Sequence, residues 1–432
     1  MKYHYMSFAL VITSILMIAC GEADKRATKT SENIKVFVGV RIIDGTGKSS
    51  IEDGILIIRA GRISQVGMQS NIEIPEGAEI IDLKSMTLMP GIINTHGHVG
   101  NTLGLESGHY SEENILDHLN LYARYGVTTV VSLGGDGKEA AILRDQQDTT
   151  TLDRARIYIA GAVVTGDSPE EAINVVNDNV ALGVDIIKIR VDDNLGTTEK
   201  MSEEIYQSVI AKAHELGLPL ASHLYYLEDA KSLLQAGSDL IAHSVRDQLV
   251  DSALIALFKA KNVCYCPTLT REVSTFVYED TPEFFDDPFF LREADPQVIE
   301  QLKDPERQQR VKESQSAQTY KLALETAKQN LKILADAGIQ IAFGTDSGPP
   351  ARFQGYFEHL EMELMAEAGL NPMQIIVSAT GDAANCMGFK DLGTLEVGKW
   401  ADFIVLKKNP LDDIKNSRSI ESVWIAGNRI SR

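Results

Sequence analysis

Cysteine is scarce, with four in 432 residues. That number cannot build a disulfide framework, and the spacing is not that of a cysteine zinc site. Basic residues are outnumbered, 41 Lys and Arg against 61 Asp and Glu, for a formal charge of −20. Such a field repels phosphate backbones and anionic lipid, and no Lys/Arg run makes a local exception, so nucleic-acid binding is excluded as a working function. Internal repeats and low-complexity tracts are also missing. The one strongly apolar run, SFALVITSILMIA at 7–19, has thirteen residues. At about 1.5 Å per residue it is too short for a hydrocarbon layer of about 30 Å.

That run has instead the size of a signal-peptide core, with Lys2 before it and Ala19 at its end. It closes as Met17-Ile18-Ala19-Cys20-Gly21, which resembles the lipobox of bacterial lipoproteins. The resemblance implies a signal peptide over 1–19, lipidation of Cys20, a polar tether over 20–33, and an exported chain held on the periplasmic face or outer membrane. Membrane contact is expected through that lipid only. The remaining cysteines, Cys264, Cys266 and Cys386, are an odd set and read as buried free thiols.

From 34 to 87 the pattern is short β-branched strands separated by turns at Gly45-Thr46-Gly47 and Gly61, which predicts a small antiparallel sheet. Residues 391–432 repeat that pattern, so the two chain ends are expected to form one small β-sandwich domain. Over 88–390 the rhythm becomes strand, loop, helix. Strands are predicted at 88–96, 127–133, 156–163, 184–190, 218–223, 239–244, 263–268 and 339–345. Eight βα units over about 300 residues predict an α/β fold of the (β/α)8 TIM-barrel type. The first βα turn, TLMPGIINTHGHVG, is not a Gly-rich dinucleotide loop, which argues against a doubly wound sheet.

Of nine histidines, four fall at predicted strand ends: His96 and His98 after the first, His223 after the fifth, His243 after the sixth. Asp346 ends the eighth. In a barrel these ends converge on one face, and imidazoles at i and i+2 point the same way from a strand. Nitrogen plus hard oxygen donors suit zinc or a similar divalent ion. Lys188 is a charge inside the apolar strand Val184-Asp185-Ile186-Ile187-Lys188-Ile189. Burial lowers an amine's pKa, and a neutral amine combines with carbon dioxide to form a carbamate with two ligand oxygens.

With Met89-Pro90-Gly91-Ile92-Ile93-Asn94-Thr95-His96-Gly97-His98 and Asp391-Leu392-Gly393-Thr394-Leu395-Glu396-Val397-Gly398-Lys399-Trp400-Ala401-Asp402, the chain resembles the amidohydrolase superfamily over 34–432. It is most similar to the binuclear branch of imidazolonepropionase-like proteins and Xaa-Pro dipeptidases. The resemblance implies two divalent ions, zinc by preference: one on His96, His98 and Asp346, one on His223 and His243, with carboxylated Lys188 between them. It also implies a metal-bridging hydroxide as nucleophile, with Asp346 as the proton shuttle.

Tyr225, Arg246 and Arg271 follow the fifth, sixth and seventh strands and are expected at the substrate, Tyr225 as oxyanion donor and an Arg as carboxylate clamp. His214 and His118 read as solvated helix positions, His359 as helix packing, and His109 as a loop residue. The insertion 271–315, with six aromatics between Phe276 and Phe290 among acids, reads either as a lid or as a decoration packed on the barrel or on a second subunit of a homo-oligomer. The expected reaction is cleavage of a C–N amide bond in a dipeptide or N-acyl amino acid. Lactones, carbamates and cyclic amides are the alternative, deamination is disfavoured by Lys188, and an inactive surface binding protein is the remote reading.

Overall fold

The β-branched runs at the two chain ends pair with each other. A computed structural model describes residues 34–431; the signal segment, Cys20 and the tether lie outside the described residues. One continuous sheet runs in the order Asn428–Arg429, Ile420–Ile425, Phe403–Leu406, Thr87–Pro90, Lys35–Ile42, Ile51–Arg59, Arg62–Met68, with Glu79–Asp82 also on Lys35–Ile42. The ends meet where Phe403 faces Pro90 and Leu406 faces Thr87. Phe37, Phe403 and Trp424 lock this junction, with ring centroids 4.9 to 5.8 Å apart. The sheet is mixed rather than antiparallel, because Glu79–Asp82 and Thr87–Pro90 both run parallel to Lys35–Ile42. Gly39, at φ +69°, breaks the register of Lys35–Ile42 so that its two halves take these two different partners.

The predicted strand 88–96 is two strands. Thr87–Pro90 belongs to the end sheet and Ile92–Gly97 begins the inner set. The break is at Gly91, where a Cβ would stand 2.1 Å from Thr128 Oγ1, so only a hydrogen fits between the layers.

The inner strands are all parallel. Ile92–Gly97, Val127–Ser132 and Arg156–Ile159 pair in sequence order, as do Ile187–Arg190, Leu220–His223, Leu240–Ala242 and Cys264–Cys266. Parallel bridges join Val164 to Ile189, Tyr265 to Ile341, and Ser347 to Gly97. Hence 341–347, overlapping the strand predicted at 339–345, touches both neighbours without making a regular ladder. Near-continuous burial along these strands is what a parallel sheet covered by helices requires. Ser111, Ser168, Ser202 and Asp251 start the covering helices by accepting from backbone N–H groups of the first turn. Among the described residues no helix is long and apolar enough to cross a membrane.

One expectation about cysteine fails. Cys264 and Cys386, 122 residues apart, form a disulfide, and only Cys266 is a buried free thiol. Cys386 ends the helix Gly381–Cys386, and its approach to the strand that carries Cys264 is one that no local pattern encodes. Closing so long a loop restricts the unfolded chain strongly. Replacing both residues by Ser should therefore lower unfolding free energy by about 2–5 kcal/mol, read from urea titration against the oxidised parent.

The insertion is a chain of short helices between Leu269–Phe276 and Gln315–Asp336. Tyr278, Phe285 and Phe290 are buried against Tyr125, Tyr356 and Phe357. Several of its acids are occupied structurally: Asp287, Asp295 and Asp304 cap helices, Glu293 pairs with Arg124, and Glu279 pairs with Lys321.

Candidate metal centre

His96 sits within Ile92–Gly97 and is buried, with His98 one residue past the strand. Asn94 sets this segment: its Oδ1 accepts from the His96 backbone N–H, and its Nδ2 donates to Glu358 Oε1 at 2.6 Å. Lys188 comes from Ile187–Arg190, His223 ends Leu220–His223, and His243 follows Leu240–Ala242. His243 and Asp346 carry φ of +146° and +57°, strained values for side chains other than Gly.

These six residues come together. Donor atoms of His96, His243 and Asp346 all lie within 4.8 Å of one another. His98 Nε2 is 2.8 Å from Asp346 Oδ1, and Lys188 Nζ is 3.4 Å from His96 Nε2. Ring centroids of His223 and His243 are 4.2 Å apart, and those of His96 and His243 4.5 Å.

Burial, with Lys188 and neighbouring imidazoles adding to it, holds His96 and His243 well below the ordinary histidine range. Burial likewise pushes His223 down to about 3. These three are neutral donors at physiological pH. Burial alone would raise the Asp346 carboxyl, but Arg352, His96 and His98 outweigh it and hold the group ionised. Lys188 is pushed down to about 8 by burial, with Asp346 and Cys266 opposing weakly. No ion pair to Lys188 is formed among the described residues, so Asp346 favours its charged form only from a distance.

The donors fit divalent cations. In the tautomer that donates from Nδ1 to the Gly134 carbonyl at 3.1 Å, His98 turns a lone pair onto Asp346 Oδ1. Two acceptors that close call for a positive charge between them. His223 Nε2 donates to Asp192 Oδ2 at 2.8 Å, which leaves its Nδ1 as the acceptor. His243 Nδ1 lies 2.7 Å from Thr268 Oγ1, leaving Nε2 free. His96 Nδ1 is buried with no hydrogen-bond partner. Partners of this kind orient imidazole ligands around a metal.

Sequence reasoning missed Asp192, Thr268, Asn94 and Arg352. Asp192 had a signal, an acid two residues past the strand that carries Lys188. Arg352, which pairs with Asp346 Oδ2, lies in a loop and had none.

The expected substrate residues form a separate cluster beside His223 and His243. Tyr225 is 5% exposed, and the Arg246 guanidinium lies 4.7 Å from its ring. Burial pushes the Tyr225 phenol up to about 12, so it stays a donor. Arg246 has no exposed side-chain surface; it donates to the Leu224 and Ser244 carbonyls and faces Glu272 at 3.1 Å. It is therefore part of the wall and not a free clamp. Arg271 Nη1 donates to Glu272 Oε2 at 2.9 Å and Nη2 to Tyr320 Oη at 3.2 Å, with 9% of its side chain exposed. Two guanidinium groups thus share one carboxylate, and Arg246 Nη2 has no partner.

The other histidines stay outside the cluster. His359 is buried between Ser417 and the Tyr125 carbonyl, a packing role. His214 is 42% exposed and bonded to Asp239, and His109 is exposed near Glu106. His118 departs from expectation: it is half-buried and accepts the Gly100 N–H at 3.0 Å, and burial pushes it down to about 4.

Known proteins share this fold. A Xaa-Pro dipeptidase structure with bound methionine superposes with a TM-score of 0.75 at 22% identity, covering 93% of this chain and 100% of that one. Phenylurea hydrolase B gives 0.74 at 22% identity, covering 93% and 97%. In sequence, ochratoxinase of Aspergillus niger is 25% identical over 284 residues, 62% of this chain. The match spans 51%, about half, of that enzyme's length. The Amidohydrolase family model matches residues 87–430, a stretch that holds all six clustered donors, and the chain belongs to that family.

Proposed function

We propose that the chain is a binuclear metal-dependent hydrolase that cuts the amide bond of small carboxylate-bearing substrates, dipeptides or N-acyl amino acids, on a closed (β/α)8 barrel joined to a β-sandwich domain. The closed barrel is supported by the bridges that give each inner strand a parallel neighbour on both sides. His96, His98 and Asp346 would hold one ion, His223 and His243 the other, and carbamylated Lys188 would serve both. Bound divalent ions supply an activated water at neutral pH and polarise the scissile carbonyl.

The chain's own groups do the rest. The Asp346 carboxylate takes the water proton and passes it to the departing nitrogen. The Tyr225 hydroxyl, kept protonated, donates to the developing oxyanion. The observation that carries the substrate class is the Arg246–Glu272–Arg271 group. It holds one more positive than negative charge in a buried wall, because both guanidinium groups lean on the single Glu272 carboxylate. A substrate carboxylate meeting Arg271, the more exposed of the two, supplies the missing anion.

The test is free-amine release from a library of dipeptides and N-acyl amino acids, with their carboxamide analogues, on metal-loaded enzyme. Arg271→Ala should lower kcat/KM roughly 10²-fold for carboxylates. The carboxamides should be little affected. An equal loss on both would remove Arg271 as the clamp, and silence across the library would refute the amidase reading. We also propose export with a lipid on Cys20; the Cys264–Cys386 disulfide, suited to an oxidising compartment, supports it. Cys20→Ala should release the protein from membranes on fractionation.

A further inference from the structure

A cavity of about 260 Å³ is lined in part by the loops that follow the first and last inner strands, 102–104 and 348–354. Its walls include Leu121, Tyr125, Phe290, Val298, Phe353 and Tyr356, drawn from the first covering helix, the insertion and the loop after Asp346. Several polar groups on its lining already have partners. Glu293 pairs with Arg124, Asp295 caps a helix, Tyr125 Oη donates to the Phe289 carbonyl, and Gln354 donates to the His98 carbonyl. What remains open is mostly apolar, so a hydrocarbon or aromatic group entering it strands few polar atoms.

Two links tie this cavity to the reacting centre. Arg352 lines it and pairs with Asp346. Thr102, Gly348 and Pro349 line both this cavity and a smaller one, about 100 Å³, that touches His98. Arg271 is not among the residues lining this cavity; it packs on Tyr320, beside Tyr225. A substrate held by Arg271 across the histidines therefore sends its other end, the acyl part, toward the apolar cavity.

We propose that this cavity is the acyl-group site and that the enzyme prefers amides with a bulky apolar acyl group, an inference that rests on the amidase reading above. The insertion then acts as the fixed wall of a specificity pocket, with its buried aromatics holding Phe290 and Val298 in place.

The test compares N-octanoyl-L-alanine with N-acetyl-L-alanine on metal-loaded enzyme, wild type against Ala294→Trp and Leu103→Trp. Both positions line the cavity, and Leu103 is 60% exposed, so the second variant burdens folding least. The octanoyl-to-acetyl ratio of kcat/KM should fall about tenfold or more in each variant, as when a hydrophobic pocket loses space for several methylenes. A ratio within about twofold of wild type in both variants would overturn the proposal. Calorimetric binding of the two compounds reads the cavity separately. If neither amide is cut, the amidase reading fails, while loss of octanoyl affinity in the tryptophan variants still supports the pocket and unchanged affinity still overturns it.

Discussion

Asp346→Asn should leave the protein folded and reduce amine release by at least the ~10²–10⁴-fold that a general acid–base group contributes. The carboxylate stands where three demands meet. Its Oδ1 is 2.8 Å from His98 Nε2, its Oδ2 pairs with Arg352, and its backbone φ of +57° fixes the side chain over the strand end. Asn keeps the shape but can neither balance Arg352 nor carry a proton. Metal content must be measured on the same sample, because loss of a ligand and loss of a shuttle both silence the enzyme. Lost turnover with metal retained identifies the shuttle; turnover near wild type would remove Asp346 from the mechanism.

Lys188→Met should have a comparable effect through metal retention. Lys188 is 3% exposed, its pKa is pushed down to about 8 by burial, and its nitrogen lies 3.4 Å from a candidate ligand. An amine so placed is substantially neutral near pH 8 and adds carbon dioxide, releasing one proton and forming a carbamate. Methionine fills the volume without that chemistry. The expected result is loss of at least one bound ion per chain and a roughly 10²–10³-fold fall in kcat, the scale of losing one preorganised electrostatic group. Reconstitution of metal-free wild type should require bicarbonate, and the intact mass should carry one added carbon dioxide. Full metal occupancy with unmodified Lys188 would end the carbamate assignment.

Much of the site was legible because parallel strands impose position. A histidine at the end of a buried strand has one place to go, so His96, His98, His223, His243 and Asp346 could be gathered from strand-end arithmetic before any contact was known. Lys188 was legible for the opposite reason, a charge where only apolar residues belong. Arg246 shows the limit of that arithmetic. Its place after a strand suggested an open clamp, yet it is enclosed by the Leu224 and Ser244 carbonyls and Glu272, because a long side chain can fold back as easily as reach out.

What the sequence determined by itself is whatever depends on period and local chemistry: the β-branched ends, the alternation of strand and helix, and the order of candidate ligands along the chain. Tertiary structure alone decided the rest. It joined the two ends through Phe403 and Pro90, split the predicted 88–96 strand at Gly91, and paired Cys264 with Cys386. It also brought Asp192, Thr268 and Arg352 onto His223, His243 and Asp346. Each of these is a contact between segments distant in the chain or carried by loops, where side-chain direction follows from how layers close and not from any local repeat.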